Sequence, residues 1–498
     1  MQAKLIFTLL CWCAALQLCA QNFVHPLPDA KRISAGYGEI RPNHFHSGID
    51  FSTGGRSLPV YSIAEGYVSR IKISPSGYGK ALYITHPGGL LSVYAHLDRF
   101  EPEIEQYVRE IQTANREYSL DVIPDSLRLP IARGARIAYS GNTGGSSGPH
   151  LHFEIRDHSF ENTFNPLLFG FHDADQTPPQ ISRVSLFPYK NMGRINNQTA
   201  LTSIALVKNR KTKRLELPRK QKMPLLSGWV GFGFEGGDMI GKASSLTGIY
   251  DIRLEVDSTP IYHARFDAFS FSETRCVNGY MHYPSRVKAG RKIQQCVVPA
   301  NQMIGIYKSH RNLGYYYFDA DRVYTVRYIL EDQAGNRTEF SMKVRGQNPN
   351  FNPSPETDAD IRVLPGIASQ WTLDDWAEVQ FSSESLFDTT GLKFRKSSLG
   401  NNLGYGLELG SMYIPINQKV KVRLKPRPLP DSLYAKLVVV RMTGNSRKYL
   451  NTTYTEGFAE ALSEDFGDFW LEIDTLPPTI RFERPPAGYK VVKKGRRR

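Results

Sequence analysis

Histidines are spread very unevenly along this chain of 498 residues. Nine of the twelve (His25, His44, His46, His86, His96, His150, His152, His158 and His172) precede residue 173. Imidazole binds metals and exchanges protons near neutral pH, so the first third is where such chemistry is to be sought. Three clusters stand out. The first is His46-Ser-Gly48-Ile-Asp50, preceded by Gly36-Tyr-Gly38 and Arg41-Pro-Asn-His44-Phe-His46. The second is Leu90-Leu-Ser-Val-Tyr94-Ala-His96-Leu97, and the third is Gly148-Pro149-His150-Leu-His152-Phe-Glu154 behind a Gly-rich turn from Gly141. In strand periodicity His150, His152 and Glu154 share one face, with Leu151 and Phe153 behind them. By the same count Ser92, Tyr94 and His96 share a face, opposite Leu91, Val93 and Ala95. A catalytic zinc takes three protein ligands from His, Asp and Glu and leaves a position for water. Further histidines then serve as base or as donors to a developing oxyanion. The three clusters hold such a set.

These segments resemble the lysostaphin/LytM-type zinc metalloendopeptidases (metallopeptidase family 23). The resemblance rests on His46-x-Gly48-x-Asp50, Tyr94-x-His96-Leu97 and Gly148-Pro-His150-Leu-His152-Phe-Glu154, in that order. It covers roughly residues 23–170. It implies an antiparallel β-sheet peptidase domain holding one Zn2+ per chain. His46, Asp50 and His152 are the implied zinc ligands, and His96 and His150 the implied catalytic histidines. It further implies that the substrate is a peptidoglycan peptide, cut in a stem or cross-bridge. Other readings are a non-catalytic peptidoglycan-binding or hydrolase-activating scaffold, and a surface adhesin carried by the later domains. His44 is offset wrongly for a ligand, and His86 beside Pro87-Gly88-Gly89 is expected to be structural. Glu154 is expected either to orient a ligand or to sit on an open strand face.

The elements that must position these residues follow from the same patterns. Between His96 and His150 lie 53 residues. Ile104, Tyr107, Val108, Ile111, Ala114 and Tyr118 recur there at helical spacing, with Pro102 near the start. A helical insertion at 101–127 is expected near the rim of the cleft, as a lid or inhibitor or as surface decoration. Beyond residue 175 the alternation is β-type, as in Val323, Thr325, Arg327 and Ile329 before the turn Asp332-Gln-Ala-Gly-Asn336. Asp175-Gln-Thr-Pro-Pro-Gln-Ile181 recurs in outline as Asp474-Thr-Leu-Pro-Pro-Thr-Ile480, a repeated domain opening. The expected architecture is mainly β: the peptidase domain at 21–175, then two immunoglobulin-like β-sandwiches at 176–347 and 356–475. Asn348–Pro355 reads as a linker and 476–498 as an incomplete strand with a basic tail.

Met1–Lys4 and the apolar run Leu5–Ala20 read as a signal peptide, which places the protein in the periplasm, cell envelope or extracellular space. Cys11, Cys13 and Cys19 fall within it. Cys276 and Cys296 then read as a disulfide, with two free buried thiols as the alternative. No other run is long and apolar enough for a transmembrane helix. The net charge of +14 suggests nucleic acid only superficially. Six of those charges lie in the last nine residues, and no nucleic-acid module is visible. The β-sandwiches are candidates for holding an envelope protein partner.

Overall fold

The computed structural model describes residues 23–477, apart from 31, 127, 173–174, 213, 241–245, 302 and 353–357. The expected signal peptide and the basic tail lie outside the described residues. Among these the chain is mainly β, and its buried apolar side chains gather into three large clusters.

The first core lies against an antiparallel sheet. Its strands are β1 (Ile33–Ala35), β2 (Ile49–Ser52), β3 (Gly66–Ile73), β4 (Lys80–Thr85) and β5 (Leu90–Ala95). After β6 (Leu97–Phe100) and helix α1 (Pro102–Asn115) come β7 (Leu120–Val122), β8 (Arg136–Ser140) and β9 (His150–Asp157). The sheet order is β1-β2-β9-β5-β4-β3-β7, while β6 and β8 pair in a small separate sheet with Pro59–Tyr61. Strand alternation works as expected along β9. Leu151, Phe153 and Ile155 face the first core, which leaves His150, His152 and Glu154 on the opposite face.

Helix α1 follows the expected spacing for its first turns. Ile104 and Val108 are buried against the first core, with Tyr107 and Ile111 partly so. The expected contribution of Tyr118 is not found. The helix ends where Arg116 turns left-handed (φ 55°), and Tyr118 is 59% exposed. A groove beside α1 is lined by Glu101, Glu105, Arg109, Arg136 and Tyr139 and touches none of the five clustered catalytic candidates.

The second core is enclosed by a ten-stranded sheet whose hydrogen bonding runs without a break. Its central members are β10 (Gln180–Ile195), β11 (Leu225–Gly237), β12 (Asp251–Val256), β13 (Val323–Glu331) and β14 (Arg337–Gly346). Helical turns at Phe271–Cys276, Val277–Tyr280 and Tyr283–Ala289, which strand periodicity does not announce, cover part of it. The expected disulfide is not formed: Cys276 and Cys296 are free, buried thiols. Cys276 sits in the helical segment with its sulfur 3.8 Å from Asn417 Oδ1 in the third region. Burial pushes its thiol up to about 12. The third core fills the space between two five-stranded antiparallel sheets spanning Ser369–Ile473.

The first and second cores interlock. Tyr37, Ile40 and Phe45 lie in the second core, whereas Ile240 lies in the first. Asn162–Phe164 bridges β9 to Ala268–Ser270, so a strand from the second region lengthens the first sheet. The Tyr37 hydroxyl donates to the Thr163 carbonyl (2.8 Å) and accepts from the Phe269 N–H (3.1 Å).

Candidate metal centre and active site

Adjacent antiparallel strands bring the distant motifs together. His152 of β9 lies opposite Asp50 of β2 on one side and Ala95 of β5 on the other. Directly opposed residues share a face, so Asp50 and His152 project to the same side. His46 reaches them from the segment before β2. Gly48 makes that segment possible: a Cβ there would lie 2.3 Å from the Phe153 carbonyl oxygen, so a side chain would separate the segment from β9.

Three donor atoms converge. His46 Nε2 lies 3.0 Å from His152 Nδ1 and 3.1 Å from Asp50 Oδ1, and the last two are 2.8 Å apart. Tetrahedral zinc with bonds of about 2.0–2.1 Å sets its ligand atoms about 3.3 Å apart. All three residues are at least 95% buried. The outer atoms fix the tautomers. His46 Nδ1 donates to the Gly36 carbonyl (2.8 Å), and His152 Nε2 donates to Glu154 Oε1 (2.7 Å). The neutral His46 ring therefore turns a lone pair inward, and His152 would do so once its inner proton is displaced. The second Asp50 oxygen accepts from Arg41 (2.5 Å). Burial opposes charge on His152, yet Asp50 and Glu154 lift it to about 9. Burial holds His46 down at about 4 despite Asp50. The donor set and its supports fit a zinc ion.

Glu154 is not an open surface group. It is fully buried and accepts from His152, Ser47 and Tyr78 on one oxygen and from Arg156 on the other. Burial alone would raise its carboxyl, but Arg156 and His152 hold it well below the usual range. The Tyr78 ring stacks on His152 with centroids 5.1 Å apart. The sequence reading gives Arg41, Ser47, Tyr78 and Arg156 no role at the site. Arg156 carries a local signal, since it continues the alternation His150, His152, Glu154.

The other two histidines complete the face. His96 and His150 have ring centroids 4.7 Å apart. His96 Nδ1 donates to the Thr143 carbonyl (2.8 Å), and His150 Nδ1 to that of Gly148 (2.8 Å). Both Nε2 atoms are left free of these backbone contacts. That of His150 has no hydrogen-bond partner among the described residues and lies 3.6 Å from Asp50 Oδ1. Burial, followed by the neighbouring His152, lowers His96 to about 4, so its ring is neutral at pH 7. Its position corrects the expected alternation. Tyr94 faces the first core while Ala95 lies on the opposite side in line with His152. His96 would return to the Tyr94 side, but its backbone is left-handed (φ 59°), which ends β5 and turns the ring toward the other histidines. A non-glycine residue held there is strained and needs fixing by its surroundings. The Tyr78 carbonyl accepting from its N–H (2.9 Å) supplies part of that hold.

His44 is outside the cluster, exposed, with Nδ1 donating to the Pro42 carbonyl (2.9 Å). His86 is buried between the Glu65 carbonyl (2.7 Å) and Ser92 Oγ (2.7 Å), a structural role as expected.

Residues 44–114 match the family model Peptidase family M23, and residues 373–474 match Zu5-like domain. The expected immunoglobulin type of the third region is thus supported only as far as its two-sheet β architecture. An uncharacterized metalloprotease of Haemophilus influenzae is 32% identical over 152 residues, 29% of this chain and 26% of that protein. Peptidoglycan DD-endopeptidase ShyB of Vibrio cholerae is 33% identical over 127 residues, 26% of this chain and 23% of that protein. A zinc-containing peptidase of Vibrio cholerae with a solved structure is 28% identical, with a TM-score of 0.20, covering 27% of this chain and 36% of that one. The chain spans about a quarter of the length of these curated relatives. With the motif residues standing in family order, the N-terminal region of this chain is similar to the peptidases of family M23, whose model matches residues 44–114.

Proposed function

We propose that this protein is an exported zinc metalloendopeptidase that hydrolyses peptide bonds in the stems or cross-bridges of bacterial peptidoglycan. The observation that carries the reading is the convergence of His46 Nε2, Asp50 Oδ1 and His152 Nδ1 beside the rings of His96 and His150. The substrate class is supported by the name of the Vibrio cholerae relative, and export by the apolar N-terminal run.

In this reading His46, Asp50 and His152 hold the metal. A zinc ion held there would polarise the scissile carbonyl and acidify a water molecule. His96, neutral at pH 7, takes up a proton at Nε2 as the attacking water adds to the carbonyl carbon. With a proton on its Nε2, His150 would donate to the oxygen on which negative charge develops, and the proton taken up by His96 would pass to the departing amine nitrogen as the C–N bond breaks. Glu154 and the Gly36 carbonyl keep the ligand rings in the required tautomer.

The test is to purify the mature full chain, measure bound zinc, and follow cleavage of a defined cross-linked muropeptide by mass spectrometry. One zinc per chain and release of cross-link fragments are expected. His96→Ala should keep the metal and lower kcat/KM by about 10²–10⁴-fold. No zinc, no release, or full activity in His96→Ala would overturn the assignment.

A further inference from the structure

A second group of potential ligands lies in the second region, unrelated to the peptidase chemistry. Asp175, Asp238 and Asp332 each present a carboxylate oxygen, and these atoms all lie within 4.8 Å of one another. The three residues are 8%, 1% and 1% exposed. None forms an ion pair with Lys or Arg among the described residues. Two of them have local roles: Asp175 Oδ1 accepts from the Thr177 N–H (3.0 Å), and Asp332 accepts from the N–H groups of Ala334 (2.9 Å) and Asn336 (2.8 Å).

Asp238 is different. Neither of its side-chain oxygens has a hydrogen-bond partner among the described residues, and nor does Asp175 Oδ2. Asp238 thus faces two other carboxylates with no Lys or Arg ion pair among the described residues. Burial, reinforced by Asp332 and Asp175, pushes its carboxyl up to about 8. Oxygens around one Ca2+ at 2.3–2.6 Å lie up to about 5 Å apart, so the three carboxylates fit a single coordination sphere.

We propose that Asp175, Asp238 and Asp332 bind one hard divalent cation of the Ca2+ class. An all-oxygen, all-carboxylate set selects Ca2+, Mg2+ or Mn2+ over zinc. The place of the site in the fold gives it a purpose. Asp175 belongs to the connection leaving the first core. Asp238 forms a β-bridge with Thr247, closing a loop whose Ile240 packs in that core. Thr247 lies so close to Gly36 that a Cβ there would be 2.9 Å away, and the Gly36 carbonyl holds His46. A cation would thus pin the connection, this loop and the β13–β14 turn, clamping the first two cores together.

The experiment uses the zinc-loaded full chain. Equilibrium dialysis against ⁴⁵Ca²⁺ at 1 mM, with parallel Mg2+ and Mn2+ arms read by metal analysis, is paired with melting curves. One ion per chain is expected, together with a rise in Tm of several degrees. Asp238→Asn, which keeps shape but removes charge, should weaken binding at least tenfold and lose the shift in Tm. If Asp238→Asn does not fold, Asp175→Asn decides by the same readings. No binding of any of the three ions, or unchanged binding in the folded variant, overturns the proposal. A second equivalent of zinc lost in Asp238→Asn overturns the hard-cation assignment.

Discussion

Glu154 shows how much of the proposed metal centre depends on residues that would not touch a metal. Its buried carboxylate holds His152 in one tautomer while Arg156, Ser47 and Tyr78 hold the carboxylate. Glu154→Gln preserves the size of the side chain but lets an amide N–H face His152 Nε2. Zinc affinity, measured by chelator competition, should fall by about 10–100-fold with the fold intact. The pair His150 and His152 was legible because strand periodicity alone sets their shared face. The left-handed His96 was not, since backbone geometry at one residue reversed what alternation implied.

Among the elements, the segment between β1 and β2 matters most. Phe45 immediately precedes the proposed metal ligand His46 yet packs in the second core, against Phe266, Phe269 and Tyr280. Phe45→Ala should cost about 3–5 kcal/mol in a denaturant titration. Because His46 is the next residue, it should also weaken zinc binding, whereas Val439→Ala in the third core should leave zinc affinity unchanged. Equal zinc affinity in both variants would show that the second core does not support the ligand. Helix α1 was legible from its apolar spacing, but its end was not, because spacing continues through Tyr118 while the backbone turns at Arg116.

Across the whole molecule, titratable groups outside the metal centre should set part of the acid stability. His282 caps the helix Tyr283–Ala289 by accepting from the Ser285 N–H. Burial, and then Arg291, lower it to about 4 from an ordinary 6.5. Its folded pKa is depressed, so the unfolded chain takes up the proton first as pH falls. The stability it contributes is present above pH 6.5 and lost progressively down to about pH 4. His282→Gln should therefore flatten the fall in Tm between pH 7 and pH 4.5, even if it lowers Tm at neutral pH. An unchanged slope would assign the acid sensitivity to other groups.

The sequence by itself determined the candidate ligand types, their order, the sheet face of His150 and His152, and the mainly β class. These depend on residue chemistry and on a two-residue period, both local properties. Tertiary structure alone decided which strands lie side by side, and hence that Asp50 and His152 share a centre 102 residues apart in sequence. It also decided that the Cys276 sulfur turns toward Asn417, that Phe45 belongs to the second core, and that three aspartates spread over 158 residues meet. Such contacts between distant segments arise from the packing of whole elements, and no local pattern encodes that packing.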